Sequence, residues 1–440
     1  MNSNHAQLIR QAQAVLDDNW TGTFTKPAPR LYPHQWSWDS AFIAIARAHY
    51  DQVRAEQELR SLFRGQWDNG LLPHIVFNPE YAGYSPGPDF WQTERILYAP
   101  HDPQTSGIVQ PPIHATAVLH IYRYAQDKTA ASAFLAEMFP RLRSWHAYLY
   151  RERDPQGEAL VYIRHPWESG LDNSPIWDSV LRRIQPPPGQ VPTYKRVDIQ
   201  IVNDEERPTN AEYDRYAYLV GLFASHNYDE SRIRQDCPFL VQDVLFNTLL
   251  CQANRDLAEI ARILGEDAKP FEAWAEGTVE AINAKLWNDE HAIYVDFDLQ
   301  TSEPIHAHAA AGFVPLYAEI PDKDRAQRMC SYLNTACFCH LDEACYAVPS
   351  YDKHEPDYSP SYYWRGPIWI NINWLLYRGL LRYGFDKYAH WVRQAIVELP
   401  RRSGFYEYYD SGNGQGHGSD RFSWTAALLL NVLYENNGQR

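Results

Sequence analysis

Between Leu245 and Leu264 the apolar residues recur three and four positions apart. Leu245, Leu249, Leu250 and Ala253 are followed by Leu257, Ile260, Ala261 and Leu264. This spacing lines one face of an α-helix. Related patterns predict helices over Trp38–Ala48, Asp51–Gln66, His114–Tyr124, Ala130–Arg151, Thr209–His226 and Pro238–Ile263. Further helices are predicted over Phe271–Leu286, Ala307–Ile320, Lys323–Leu333, Ile368–Tyr383, Lys387–Leu399 and Ser423–Glu435. Period-two alternation is scarce, and Ala292–Phe297 reads as a short strand or hairpin arm. A chain patterned in this way buries its apolar faces by stacking helix on helix, so the expected class is all-α. No Gly/Ser linker or charge block divides it, and the expectation is one domain over residues 1–440 whose long loops carry the site.

Composition narrows the function. The chain is 45% hydrophobic and 22% charged, which excludes a disordered protein. Its net charge of −15, without a basic run, argues against a nucleic-acid partner. Apolar runs such as Ala426–Leu430 are far too short for a membrane span. Six cysteines are too sparse for a disulfide scaffold, and the polar stretch Met1–Arg10 carries no secretory pattern. A reducing, cytoplasmic setting is the expectation. The 15 Trp and 30 Tyr offer flat apolar faces with hydrogen-bonding edges, which suits a sugar as well as a packed core.

Four segments combine such rings with charge. Trp36-Ser37-Trp38-Asp39 enters a helix, where Asp39 is placed either to cap it or to bind hydroxyls. In His165-Pro166-Trp167-Glu168-Ser169-Gly170-Leu171-Asp172, continuing to Trp177-Asp178, three carboxylates stand within eleven residues of loop. A carboxyl against indole rings loses hydration and holds its proton toward neutrality, the condition for a general acid. These residues do not choose among Glu168, Asp172 and Asp178. In Phe405-Tyr406-Glu407-Tyr408-Tyr409 an acid ringed by phenols is suited to orient a water. Tyr362-Tyr363-Trp364-Arg365-Gly366-Pro367-Ile368-Trp369 sets one fixed cation among rings. Asp198, Arg207, Glu212, Asp214 and Arg215 are further binding candidates in a charged stretch that opens a helix.

Eight motifs follow one another in an order that is recognisable. They are Tyr32-Pro33-His34-Gln35-Trp36-Ser37-Trp38-Asp39, Pro73-His74-Ile75-Val76-Phe77, Gly83-Tyr84-Ser85-Pro86-Gly87-Pro88 and Ser106-Gly107-Ile108-Val109-Gln110-Pro111-Pro112. Trp167-Glu168-Ser169-Gly170-Leu171-Asp172-Asn173-Ser174-Pro175, Glu212-Tyr213-Asp214-Arg215-Tyr216, Tyr363-Trp364-Arg365-Gly366-Pro367 and Phe405-Tyr406-Glu407-Tyr408-Tyr409 complete the series. The chain resembles glycoside hydrolase family 63 from about residue 15 to about residue 434, most closely its bacterial glucosylglycerate and mannosylglycerate hydrolases. The resemblance implies an (α/α)6 toroid and inversion at an α-glycosidic bond. Asp172 matches the family's general acid and Glu407 its general base, which an inverting enzyme holds about 6.5–9.5 Å apart. Trp38 and Asp39 match positions that hold the sugar ring, and Tyr32, Trp36, Tyr84 and Gln110 match those near the glycerate.

Trp167, Arg215, Tyr363, Trp364, Arg365 and Trp369 complete the expected substrate-binding set, with Arg215 or Arg365 supplying positive field. The expected substrate is a small glycoside with a polar aglycone, glucosylglycerate first and mannosylglycerate beside it. Alternatives are another small α-glucoside such as glucosylglycerol or a disaccharide, a sugar epimerase using His306, His308 and His340, and a non-catalytic sugar-binding protein. No cofactor is expected. No metal is expected either, because Cys337-x-Cys339-His340 lacks a second cluster to complete four ligands. Homo-oligomerisation is left open.

Overall fold

Twelve helices of eleven or more residues organise the chain in the computed structural model, which describes residues 3–341 and 345–435. They are α1 (Ser3–Asp18), α2 (Ser37–Arg47), α3 (Gln52–Arg64), α4 (His114–Tyr124), α5 (Lys128–Arg153) and α6 (Asn210–Ser225). The remainder are α7 (Val244–Leu264), α8 (Lys269–Lys285), α9 (Lys323–Leu333), α10 (Ile370–Arg382), α11 (Asp386–Ser403) and α12 (Ser423–Glu435).

An inner ring is formed by α2, α4, α7, a 3-10 run over Ala310–Ala318, α10 and α12, each packed on the next, with α12 closing onto α2. Around it α3 packs on α2, α5 on α4, α8 on α7, α11 on α10 and α1 on α12. This is the (α/α)6 toroid. Ring helices touch neighbours on every side, so all eleven residues of α2 are buried, including the guanidinium-bearing Arg47. One buried hydrophobic cluster extends from Leu8 to Leu433.

Two expectations about helices need correction. Ala307–Ile320 is not an α-helix but the 3-10 run Ala310–Ala318. Pro315 removes a backbone donor there. A Cβ at Gly312 would stand 2.4 Å from the carbonyl oxygen of Tyr294, so this residue lies hard against the neighbouring strand. Conversely, α1 falls in a start that reads as merely polar. Leu8, Ile9, Ala12, Val15 and Leu16 form its buried stripe, and it covers the outer face of α12.

Strands are short and confined to hairpins and bridges between loops. Gln35–Trp36 pairs with Ile75–Val76, which ties the first aromatic motif to the second. Tyr406–Tyr409 pairs with Gly416–Asp420, and the register slips between Tyr406 and Tyr408. The intervening residue is Glu407, so a bulge re-aims its side chain. The predicted strand Ala292–Phe297 is divided between two pairings, Ile293–Tyr294 with Trp287–Asn288 and Phe297–Asp298 with its neighbours. A single disulfide is described, Cys339 to Cys345. No helix among the described residues is long and apolar enough to cross a membrane.

Candidate active site

Two adjoining chambers share part of their lining, and we call the one that holds Glu407 inner and the other outer. The inner one is lined by Trp36, Trp38, Asp39, Gly170, Asp172, Trp364, Trp369, Glu407, Phe422 and Trp424 among others. The outer one is lined by His74, Tyr84, Ser85, Trp167, Asp198, Arg207 and Tyr213. Tyr32, Trp36, Gln110, Asp172 and Tyr363 face both. Asp172 and Glu407, 235 positions apart in the chain, therefore share one cavity.

The loop carrying Asp172 is held from several directions. Tyr216 donates its hydroxyl to the carbonyl of Asp172 at 3.0 Å, and the Trp177 indole donates to the carbonyl of Leu171 at 2.9 Å. Gly170 has φ of +72°, and a Cβ there would lie 2.5 Å from the Trp38 ring. Glycine thus lets the indole pack flush against this loop. The Tyr363 hydroxyl donates to the Asp172 carboxyl at 3.2 Å. Burial pushes its pKa up to about 7, against the lowering pull of the Tyr363 bond and Arg207 and with the Glu407 charge adding to the rise.

Glu407 has the opposite environment. Tyr32 donates to Oε1 at 2.7 Å, Arg207 donates to Oε2 at 2.7 Å, and the Ser419 backbone N–H donates to Oε2 at 3.0 Å. Both Arg207 and Glu407 are almost fully buried. The Arg207 guanidinium also lies over the Tyr363 ring, 4.7 Å from its centroid. One carboxyl is therefore desolvated, while its neighbour is paired with a cation. Tyr363, which links the two, holds a backbone φ of +41°, a conformation unusual for a bulky residue and of the kind that concentrates at functional sites.

The structure also separates the three acids of the aromatic loop. Glu168 is buried between cations, accepting from Arg153 at 2.9 and 3.0 Å and from the backbone N–H groups of Val109 and Arg164. Burial opposes its ionisation, yet Arg153 and Arg164 prevail and hold its pKa below the ordinary value. Asp178 is taken by a two-pronged pair with Arg365 at 2.5 and 2.9 Å. Asp172 alone of the three faces the chambers.

Most of the expected binding residues converge there. Trp38, Asp39, Trp364 and Trp369 line the inner chamber, Tyr84 and Trp167 the outer, and Tyr32, Trp36, Gln110 and Tyr363 both. Trp364 and Trp369 stack at 3.6 Å with planes 5° apart. Asp39 does not cap its helix: its pKa is raised well above the ordinary value by burial, and no Lys or Arg among the described residues pairs with it.

Arg215 and Arg365 are corrections. They line a different cavity together with Asp178, Arg182 and Glu212. Arg365 is committed to Asp178 and Glu212, and Arg215 donates to the carbonyls of Ala211 and Ile184. Arg207, one of the five binding candidates in the charged stretch, is the cation that lines the chambers among the described residues. Phe422 and Trp424 were missed; their signal is an aromatic pair at the mouth of the last ring helix. His74 and Tyr213 were visible only as members of motifs.

The family description "mannosylglycerate hydrolase MGH1-like glycoside hydrolase domain" matches residues 32–425. The crystal structure of a GH63 mannosylglycerate hydrolase from Thermus thermophilus in complex with Tris and D-glycerate aligns with a TM-score of 0.90. It is 43% identical, over 96% of this chain and 99% of that one. The chain belongs to glycoside hydrolase family 63. As a family 63 member it is a glycosidase. A mannosylglycerate hydrolase from Rubrobacter radiotolerans is 56% identical over 97% of each chain. A glucosylglycerate hydrolase from Mycolicibacterium hassiacum is 37% identical over 97% of this chain and 98% of that one.

Proposed function

We propose that this family 63 glycosidase hydrolyses mannosylglycerate or glucosylglycerate with inversion, Asp172 acting as general acid and Glu407 as general base. The observation that carries the reading is the contrast between two carboxyls on one cavity. Asp172 has a pKa of about 7, whereas Glu407 is fastened to Arg207 and Tyr32. The relatives named above supply the substrate class.

In this reading the sugar occupies the inner chamber, its apolar face against the Trp38, Trp369 and Trp424 rings and a hydroxyl on the unpaired Asp39. Glycerate lies in the outer chamber, where Tyr84, Gln110 and Tyr213 offer neutral donors and Arg207 is the guanidinium of the lining. Asp172 protonates the leaving glycosidic oxygen. Glu407 takes a proton from a water that attacks the anomeric carbon on the opposite face, so configuration inverts. Residues 1–440 act in this proposal as one catalytic domain, a reading supported by the continuous buried cluster.

The test is an initial-rate panel of mannosylglycerate, glucosylglycerate, glucosylglycerol, sucrose and trehalose, with the released anomer followed by NMR. The β-anomer is expected first from a glycerate substrate; initial α-anomer refutes inversion. Asp172→Asn and Glu407→Gln are each expected to fold and to lose about 10²–10⁴-fold in rate, and near-normal turnover by either rejects that residue's role. An epimerase would interconvert free sugars instead, and a binding protein would release none.

A further inference from the structure

Away from the two chambers the fold assembles a second cluster of reactive side chains. Cys337 follows α9, and Asp352 and His354 lie on a later loop, 15 and 17 positions on. One ligand atom from each lies within 4.8 Å of the others. Backbone bonds lock the segments together: Lys353 N–H donates to the carbonyl of Cys337 at 2.7 Å, and Asp352 N–H to that of His308 at 3.0 Å. The sequence motif Cys337-x-Cys339-His340 lacked a second half. The fold supplies one, and Cys339 is withdrawn from it by its bond to Cys345.

The electrostatics of this cluster call for a cation. Asp352 is a buried carboxyl, and His354 Nδ1 lies 3.6 Å from its Oδ1. It accepts from the Tyr332 hydroxyl at 2.9 Å and from the His354 backbone N–H at 2.8 Å, both neutral donors. Around it stand His308, 3.1 Å from the Tyr332 hydroxyl, then Glu355, 3.9 Å from His308, and His291, whose ring centroid is 4.3 Å from that of His308. No Lys or Arg among the described residues comes within ion-pair distance of Asp352 or Glu355. Buried carboxylates normally have a cationic partner, and this one has a thiol and imidazoles instead.

Those donors define the class of ion. One sulfur, one imidazole nitrogen and one carboxylate oxygen suit zinc and its neighbours, whereas calcium and magnesium select oxygens alone. Metal–ligand bonds of about 2.0–2.3 Å place tetrahedral ligand atoms about 3.3–3.8 Å apart. The cluster must therefore contract by about 1 Å, which His354 can supply by turning, since its side chain is exposed. We propose that Cys337, Asp352 and His354 bind a zinc-class divalent ion, with water in the fourth position. The ion ties the end of α9 to the loop that leads toward Tyr362 and Tyr363. None of the three ligands lines either chamber, so the site is structural.

Cobalt(II) is the probe, because a thiolate ligand gives it a near-ultraviolet charge-transfer band. Untagged protein is stripped with a chelator and titrated with cobalt in the absence of thiol reductant. One equivalent is expected to produce the band. Cys337→Ser is expected to abolish it, and His354→Ala to weaken binding at least tenfold. Zinc is expected to raise the thermal midpoint of the unsubstituted protein and to leave that of both variants unmoved. Neither substitution is at a fully buried side chain, and circular dichroism checks that each variant folds. Absence of the band at one equivalent, its survival in Cys337→Ser, or an equal zinc shift in all three proteins overturns the proposal.

Discussion

Replacing Tyr363 by Phe deletes one hydroxyl and leaves the ring that Arg207 covers. The deleted group is the donor to Asp172 at 3.2 Å. Burial is what raises the Asp172 pKa to about 7, and the Tyr363 bond pulls it down. Removing the bond therefore raises that pKa further. A hydrogen bond to a charged group contributes about 1.5–3 kcal/mol, and 3.2 Å is long for a hydroxyl donor, so the low end applies. At about 1.4 kcal/mol per pH unit, the change is about one unit. If Asp172 must be protonated to act, kcat/KM falls above about pH 7 in the unsubstituted enzyme, tenfold per unit. In Tyr363→Phe this alkaline limb is expected about one unit higher. The assay is kcat/KM for released sugar across that range. A variant that loses rate equally at every pH, or whose limb moves to lower pH, refutes the assignment of the limb to Asp172 under Tyr363's influence.

Three more outcomes follow from the same geometry. Arg207→Met leaves the Glu407 charge buried without its cation, and is expected to cost about 3–5 kcal/mol in denaturant-induced unfolding. Gly418 has φ of +69°, and a Cβ there would fall 2.5 Å from Glu407 Oε2, so Gly418→Ala is expected to displace the Glu407 carboxyl and, under the proposed mechanism, to lower kcat more than it raises KM. His417 Nδ1–H donates to the Glu206 carboxylate at 2.9 Å; that hydrogen bond raises its pKa, with burial opposing. The stabilisation is present below the ordinary histidine pKa and is lost as pH rises through the raised one. His417→Gln is therefore expected to destabilise by up to about 1 kcal/mol near pH 6 and by less near pH 9, as measured by chemical denaturation.

Helical class, the order of the motifs and the choice of Asp172 and Glu407 as candidates, which the fold brings to one cavity, were legible in the chain. They rest on local periodicity and on short motifs that survive being read in one dimension. What stayed hidden was which charges are already spent. Glu168, Asp172 and Asp178 look alike in the same loop. Glu168 is neutralised by Arg153 and Arg164, and Asp178 by Arg365, 187 positions away. For the same reason Arg215 and Arg365 read as plausible substrate cations while Arg207 stood undistinguished. Ring closure decides these partnerships, because desolvation and Coulomb attraction act over a few ångströms of space and take no account of separation along the chain. Secondary structure depends on neighbours three and four residues away, so it is written locally. The protonation and pairing of each acid depend on neighbours that only the closed toroid brings within reach.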